Sequence, residues 1–124
     1  MKASILVVED NDDNIQLVEY VLRAHGYEPR LATNGADGVR LALEEHPELI
    51  LLDLRMPGMD GYEVATLVRQ AGLKDTKVVA LTASAMVGDR ERIAEAGFDG
   101  YIQKPIDPET FIAEIEQFLP EVAA

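Results

Sequence analysis

Five polar side chains in this sequence stand where short apolar runs end. They are Glu9, Asp10, Asp53, Thr82 and Lys104. Three carboxylates in one place repel one another and need a cation, a proton or an ammonium group to coexist. Oxygen ligands with a few acids and open water positions suit Mg²⁺ rather than Zn²⁺. If the fold brings these residues together, their types favour a magnesium site with a lysine and a threonine beside it.

The chemistry that fits this set is phosphoryl transfer. A carboxylate can act as a nucleophile and form an aspartyl phosphate. A lysine adds positive charge near a phosphoryl group, and a threonine hydroxyl can donate a hydrogen bond to a phosphoryl oxygen. Alone, Thr82 or Lys104 would more often be an ordinary strand-end or surface residue. Together they predict transfer onto Asp53, with catalysis by positioning and charge neutralisation.

The apolar runs predict the strands that would position these groups. Residues 5–8, 49–52 and 78–81 are apolar without alternation, which is typical of the buried centre of a parallel sheet and predicts strands over residues 5–8, about 48–53, and 77–82. Residues 27–33 form a weaker strand in which Pro29 indicates a sheet edge, and a short fifth strand covers residues 101–103. Because parallel strands share a direction, their carboxyl ends share one edge, where open α/β sheets bind ligands.

Helical spacing of apolar residues between these strands predicts five helices and hence an α/β fold of five βα units. Asp107-Pro108-Glu109 is expected to open the last helix, because proline suits the first helical position. Asn34-Gly35 is expected to form a turn. The helix over residues 86–96 should be the least stable, since it has few large apolar residues and contains Gly88, which costs roughly 1 kcal/mol against alanine.

Composition narrows the class of protein. The chain has 124 residues, no cysteine and a hydrophobic fraction of 48%, which suits one globular domain without disulfides or thiolate metal sites. The formal net charge is −12, which disfavours direct nucleic-acid binding and suits a cation or a positively charged partner. No signal segment and no run long enough to cross a membrane is visible, so the expected location is cytoplasmic, without membrane attachment.

The order and spacing of the motifs resemble the receiver domain of bacterial two-component response regulators. The resemblance covers the whole chain and is closest to stand-alone receivers of the CheY and DivK kind. The segments that carry it are Ile5 to Asn11, Leu52 to Gly61, Ala80 to Ala83 and Lys104-Pro105. It implies a flavodoxin-like, five-stranded parallel sheet of order 2-1-3-4-5 flanked by five helices. It also implies a single receiver domain over residues 1–124 with no output domain.

The resemblance also implies roles for individual residues. Asp53 would accept the phosphoryl group, and Thr82 and Lys104 would contact its oxygens. Mg²⁺ would be held directly by Asp10, Asp53 and the backbone carbonyl of Arg55, with Glu9 acting through water. Tyr101 would be a switch residue that turns inward as Thr82 moves. Arg55 and Ser84 match positions that tune the lifetime of the phosphoryl group, and the Lys104-Pro105 bond would be cis.

The implied function is that of a single-domain response regulator rather than a turnover enzyme. The phosphoryl donor would be a phosphohistidine of a sensor kinase or of a histidine phosphotransfer protein, and autodephosphorylation would end the signal. Phosphorylation would switch the face formed by helix 4, strand 5 and helix 5, which controls a downstream protein. The chain would be a monomer or a phosphorylation-dependent dimer.

Three alternatives stay open at this point. A phosphatase of the haloacid-dehalogenase type also uses a strand-end aspartate and Mg²⁺, but it needs a second aspartate where this chain has Arg55. A flavodoxin needs a neutral phosphate loop after the first strand, whereas Glu9 to Asp13 is acidic and would repel a flavin phosphate. A receiver that binds partners without phosphorylation is the third, and the complete set of site residues argues against it.

Overall fold

A parallel sheet of five strands forms the centre of the molecule, seen in a computed structural model that describes residues 2–84 and 86–119. The spatial order is β2-β1-β3-β4-β5, and every neighbouring pair is parallel. The predicted α/β fold and strand order are therefore confirmed. The strands are β1 (Ile5–Val8), β2 (Arg30–Ala32), β3 (Leu49–Asp53), β4 (Lys77–Thr82) and β5 (Gly100–Gln103).

A helix follows each strand, as the repeating pattern predicts. The helices are α1 (Asp12–Ala24), α2 (Gly35–Glu45), α3 (Gly61–Gln70), α4 (Val87–Glu95) and α5 (Phe111–Glu116). Three of them begin at a side-chain cap, in which Asn11, Asn34 and Asp60 accept a hydrogen bond from a backbone N–H of the first turn. Such caps satisfy backbone donors that have no partner inside the helix.

Three predictions about the elements are wrong, while the bounds of β3, β5 and α4 differ from the predicted ones by only one residue at an end. Strand β2 covers three residues rather than residues 27–33. Asn34-Gly35 is a helix start rather than a turn, because the Asn34 side chain accepts from the N–H of Asp37. Helix α5 begins at Phe111, because residues 107–110 form a turn in which the Asp107 carbonyl accepts from the N–H groups of Thr110 and Phe111. Pro120, which the sequence predicts to end this helix, lies outside the described residues.

Two apolar clusters lie on opposite faces of the sheet. One packs α2, α3 and α4 against one face, and the other packs α1 and α5 against the opposite face. Strands β1 and β3 are buried along their whole length, which is what two covered faces require. The buried strands hold the residues at their carboxyl ends in fixed positions.

Helix α4 has the smallest apolar contact with this core among α1 to α4. Ile93 is its one buried residue, whereas α1 and α3 each bury four. Its N-cap position, Met86, makes no side-chain capping hydrogen bond. Gly97 follows the helix with a φ of 94°, a backbone conformation that glycine adopts at helix ends. The sparse burial supports the prediction that α4 is the least stable helix.

Several smaller predictions are confirmed. The Lys104-Pro105 peptide bond is cis. His25 and His46, which the sequence predicts to be surface or capping residues at helix ends, are exposed at the C-terminal ends of α1 and α2. Within the described residues, no helix combines the length and apolar character that crossing a membrane would require.

Candidate active site at the carboxyl edge of the sheet

A cavity of about 620 Å³ opens at the carboxyl edge of the sheet. Because β1, β3, β4 and β5 run in the same direction, the residues that follow them meet at this edge. The structure thus brings together the polar groups that the sequence places at separate strand ends. The predicted site residues in the cavity lining are Asp10, Asp53, Arg55, Thr82 and Lys104.

The three carboxylates form one cluster. Glu9 is fully buried, Asp53 is 5% exposed, and Asp10 is partly exposed. One carboxylate oxygen from each residue lies within 4.8 Å of the others. This set of oxygen donors is the kind that hard divalent cations prefer.

Lys104 connects two of these carboxylates. Its ammonium nitrogen lies 2.8 Å from Oε1 of Glu9 and 3.2 Å from Oδ1 of Asp53, and it donates a hydrogen bond to the latter. The backbone N–H of Arg55 also donates to Oδ1 of Asp53, at 3.2 Å. A charged donor and an amide therefore fix the orientation of the Asp53 carboxylate.

Glu9 is held less completely. Its Oε2 accepts a long hydrogen bond of 3.4 Å from the backbone N–H of Asn11. Its Oε1 is within ion-pair distance of the Lys104 ammonium, but the contact lacks hydrogen-bond geometry, so this buried oxygen has no hydrogen-bond donor among the described residues. A buried carboxylate oxygen without a donor is costly and is well suited to accept from a metal-bound water.

Burial and charge shift the pKa values of this cluster. Burial, followed by the neighbouring Glu9, raises the pKa of Asp53 to about 6, although Lys104 and the Arg55 N–H act in the opposite direction. Burial and then Asp53 raise the pKa of Asp10. Burial alone would lower the pKa of Lys104, but Glu9 and Asp53 outweigh it, and the net pKa is raised. Lys104 therefore remains positively charged, and its single charge does not neutralise all three carboxylates.

The Thr82 hydroxyl is occupied by the backbone that follows β4. It donates to the Ser84 carbonyl at 2.9 Å and accepts from the Ser84 N–H at 3.1 Å. A hydroxyl has one proton to donate, so Thr82 must leave the Ser84 carbonyl before it can donate to a phosphoryl oxygen.

Tyr101 lies away from the cavity, on β5. It is partly buried and packs against the cluster that includes α4. Its register partner on β4 is Ala80, two residues before Thr82. The position is compatible with the predicted inward turn but does not test it.

A second cavity, which the sequence did not predict, lies beside the first. It has a volume of about 510 Å³ and shares Leu54, Arg55 and Thr82 with the first. In it, the Ser84 hydroxyl donates to Oδ2 of Asp89 at 2.5 Å. A serine shortly before a helix whose first turn contains an acid could have signalled this contact. The cation–π contact at 4.0 Å between the Arg92 guanidinium and the Tyr62 ring joins two helices and has no sequence signal.

Comparison with known proteins gives consistent matches over nearly the whole chain. The family model described as response regulator receiver domain matches residues 5–116. The polar-differentiation response regulator DivK of Brucella ovis is 40% identical over 120 residues, which are 96% of this chain and 98% of that protein.

Solved structures share the fold closely. The chemotaxis protein CheY4 of Vibrio cholerae matches with a TM-score of 0.90 and 29% identity, over 96% of this chain and 100% of that one. The receiver domain of a sensor histidine kinase from Pseudomonas aeruginosa PAO1 matches with a TM-score of 0.86 and 34% identity, over 95% of this chain and 98% of that one. That structure has a magnesium ion coordinated in its active site cleft.

Proposed function

This chain belongs to the response regulator receiver domains of two-component signal transduction, and from that premise we propose that Asp53 is its phosphoryl acceptor. The observation that carries the proposal is the arrangement around this side chain. Asp53 is nearly buried at the end of a central strand, hydrogen-bonded to Lys104, and clustered with two further carboxylates. A phosphoryl group arriving there would meet one fixed ammonium group, while the excess negative charge calls for a cation.

The donor set fits Mg²⁺. Asp10 and Asp53 would bind the ion directly together with the Arg55 carbonyl, and Glu9 would act through water. The Glu9 oxygen that lacks a hydrogen-bond donor supports that assignment, because a metal-bound water would supply the missing donor. A bound Mg²⁺ would neutralise the carboxylates and the phosphoryl oxygens during transfer.

The proposed reaction begins with the ionised Asp53 carboxylate. One of its oxygens attacks the phosphorus of a donor phosphohistidine. The new O–P bond forms as the P–N bond breaks, and the departing imidazole nitrogen takes up a proton. Lys104, already 3.2 Å from the acceptor oxygen, stabilises the charge that the phosphoryl group brings, and Thr82 donates to a phosphoryl oxygen. Water attack on the same phosphorus returns the free carboxylate, so the chain acts as a timed signal rather than a turnover enzyme.

Three residues near the cavity are placed to influence the lifetime of the phosphoryl group. Arg55 is exposed and lines the cavity, while Ala83, next to Thr82, is small and exposed. Together with Ser84 these residues would set how easily water reaches the phosphoryl group, and so its lifetime. The side chain of Arg55, in place of an acid, removes the general acid that a haloacid-dehalogenase phosphatase would need.

The proposed output is a shift of the face formed by α4, β5 and α5. Phosphorylation would favour a pre-existing alternative conformation in which Thr82 has moved towards the phosphoryl group and Tyr101 has turned inward. A downstream protein would read this face. The histidine kinase or phosphotransfer protein that donates the phosphoryl group is expected to offer positive charge to a chain with a net charge of −12.

The direct test is intact-mass measurement after incubation with Mg²⁺ and a phosphorylated histidine kinase or phosphotransfer protein. The wild-type chain should gain the mass of one phosphoryl group, and Asp53→Asn should gain none. Asp60→Asn is the matched control, because the same chemical change at the cap of α3 keeps a good capping residue and leaves the site intact. Phosphorylation that persists in Asp53→Asn, or its absence from the wild type, would refute the assignment.

A further inference from the structure

We propose that Ser84 and Asp89 form a latch that holds the N-terminal half of α4 in its resting position, and that recruitment of Thr82 to the phosphoryl group opens it. The inference rests on the proposed function for the opening step, but the latch itself belongs to the unphosphorylated protein. It assigns Asp89 a positioning role for the switch.

A chain of hydrogen bonds connects the site to the start of α4. The Thr82 hydroxyl holds the Ser84 carbonyl at 2.9 Å, and the Ser84 N–H holds the Thr82 oxygen at 3.1 Å. The Ser84 hydroxyl in turn donates to the Asp89 carboxylate in the first turn of α4. Because Thr82 cannot donate to Ser84 and to a phosphoryl oxygen at once, its recruitment breaks the first link and frees the Ser84 backbone to shift.

The two halves of α4 are anchored unequally. In the second half, Ile93 is buried, the Arg92 guanidinium stacks on Tyr62, and the Arg69 side chain donates to the Gly97 carbonyl at 3.1 Å. In the first half, Met86 makes no side-chain cap, and a Cβ added at Gly88 would meet no atom within 4 Å. The latch is thus a charge-assisted contact that ties a sparsely packed helix start to the loop before it.

The anchor at the C-terminal end of α4 consists of several contacts made by the Arg69 side chain. Besides Gly97, Arg69 donates to the carbonyls of Leu73 and Thr76, at 2.8 and 2.7 Å, and pairs with Asp99 at 2.8 Å. Asp99 also accepts from the backbone N–H of Val78 on β4. A helix fixed at one end to the sheet and at the other by a latch pivots about the fixed end when the latch opens.

Hydrogen exchange in the resting protein tests the latch directly. Amides of residues 90–93, which pair with carbonyls of residues 86–89 at the helix start, should exchange at least about tenfold faster in Ser84→Ala and in Asp89→Ala than in the wild type, reflecting the loss of one hydrogen bond to a charged group. Amides of residues 94–98 should change less than twofold, because their anchor is untouched. The double variant should match the single ones, and Glu95→Ala, an exposed acid of the same helix, should leave residues 90–93 unchanged.

Two results of this comparison would overturn the proposal. One is unchanged exchange of residues 90–93 in Ser84→Ala. The other is equal acceleration of both halves, since the helix would then move as a unit. In the same experiment, phosphorylated wild-type chain, verified by its mass, should reach the exchange rates of unphosphorylated Ser84→Ala, and phosphorylation of Ser84→Ala should add less than a twofold change.

The two proposals fail in different ways. A chain that gains no phosphoryl group contradicts the proposed function. The latch is then tested only by hydrogen exchange of the unphosphorylated wild type and variants. A chain that is phosphorylated but keeps slow exchange at residues 90–93 contradicts the coupling, while Asp53 remains the acceptor. Phosphorylated wild type that matches Ser84→Ala supports both.

Discussion

Lys104 lies between Glu9 and Asp53, so one ammonium group serves two carboxylates while Asp10 stands close by. Burial, followed by the neighbouring Glu9 that Lys104 only partly offsets, explains why Asp53 holds its proton more strongly than a free aspartate. Its raised pKa, about 6, means that the site without a metal is destabilised whenever the carboxylate is ionised. The proposed phosphoryl-acceptor chemistry and fold stability therefore compete at this residue.

The raised pKa of Asp53 predicts how the free energy of unfolding of the metal-free protein changes with pH. Because the folded-state pKa of Asp53 lies above its unfolded value of 3.8, the stabilising effect of the proton is complete below about pH 4. It is lost as the pH rises through about 6. Without Mg²⁺, Asp53→Asn should therefore be more stable than wild type at about pH 8, by about 1–3 kcal/mol. Urea unfolding should show this gain shrinking towards pH 4, and an equal gain at both pH values would contradict the explanation.

Magnesium affinity should follow the same carboxylates. Protonated Asp53 cannot serve as a metal ligand, so binding must displace a proton below the pKa of about 6. The Mg²⁺ dissociation constant should be nearly constant above about pH 7 and rise roughly tenfold per pH unit below 6 for each proton displaced. Isothermal titration calorimetry across this range measures the effect. An affinity independent of pH down to about 5 would exclude Asp53 as a ligand.

At the scale of elements, two glycines in helices should respond in opposite ways to alanine. Gly88 lies in α4 with no atom within 4 Å of an added Cβ, so Gly88→Ala should stabilise that helix by about 0.5–1 kcal/mol. Gly61 begins α3, where a Cβ would collide with the Asp53 carbonyl and lie 2.8 Å from Cα of Leu54. Gly61→Ala should therefore destabilise the protein, by about 1–3 kcal/mol.

Urea unfolding and hydrogen exchange of α4 separate the two effects. Gly88→Ala should slow exchange within α4 and leave the other helices unchanged, while Gly61→Ala should lower the unfolding midpoint and disturb the loop after Asp53. A loss of stability in Gly88→Ala would mean that the start of α4 is packed more closely than its surroundings indicate. A neutral Gly61→Ala would mean that this loop adapts readily.

The elements also show why sequence analysis succeeded where it did. The uninterrupted apolar runs Ile5–Val8 and Val78–Leu81 predicted the strands Ile5–Val8 and Lys77–Thr82, whose bounds match the structure, because burial on both faces favours such runs. The site followed from them, since polar residues that end parallel strands must share an edge. The start of α5 was wrong, because Asp107-Pro108-Glu109 suits a turn as well as a helix start.

Contacts between separate elements could not be predicted. The pairing of Arg92 with Tyr62 and the four partners of Arg69 depend on how α3 and α4 pack, and no local spacing encodes that arrangement. The engagement of the Thr82 hydroxyl by Ser84 likewise depends on the path of one loop. The proposed switch rests on these contacts, whereas the proposed acceptor chemistry rests on residues at strand ends.

At the scale of the whole molecule, acidic residues outnumber basic ones by 23 to 11. Repulsion among them destabilises the folded state and is weakened by any salt, because the Debye length falls to about 10 Å at 0.1 M ionic strength. Sodium chloride should therefore raise the unfolding temperature modestly. Magnesium should do more at the same ionic strength, because at the proposed site it would also bind the folded state and stabilise it by mass action.

The size of this specific effect follows from binding alone. At a Mg²⁺ concentration of 100 times its dissociation constant, the gain is about 2.7 kcal/mol. For a chain of 124 residues, that corresponds to a rise in unfolding temperature of roughly 10 °C beyond the sodium chloride control. Asp10→Asn should lose most of the difference while keeping the general salt response, since one ligand is gone but the surface charge is almost unchanged. Equal midpoints in the two salts for the wild-type chain would mean that Mg²⁺ only screens the acidic surface, and the metal assignment would fail.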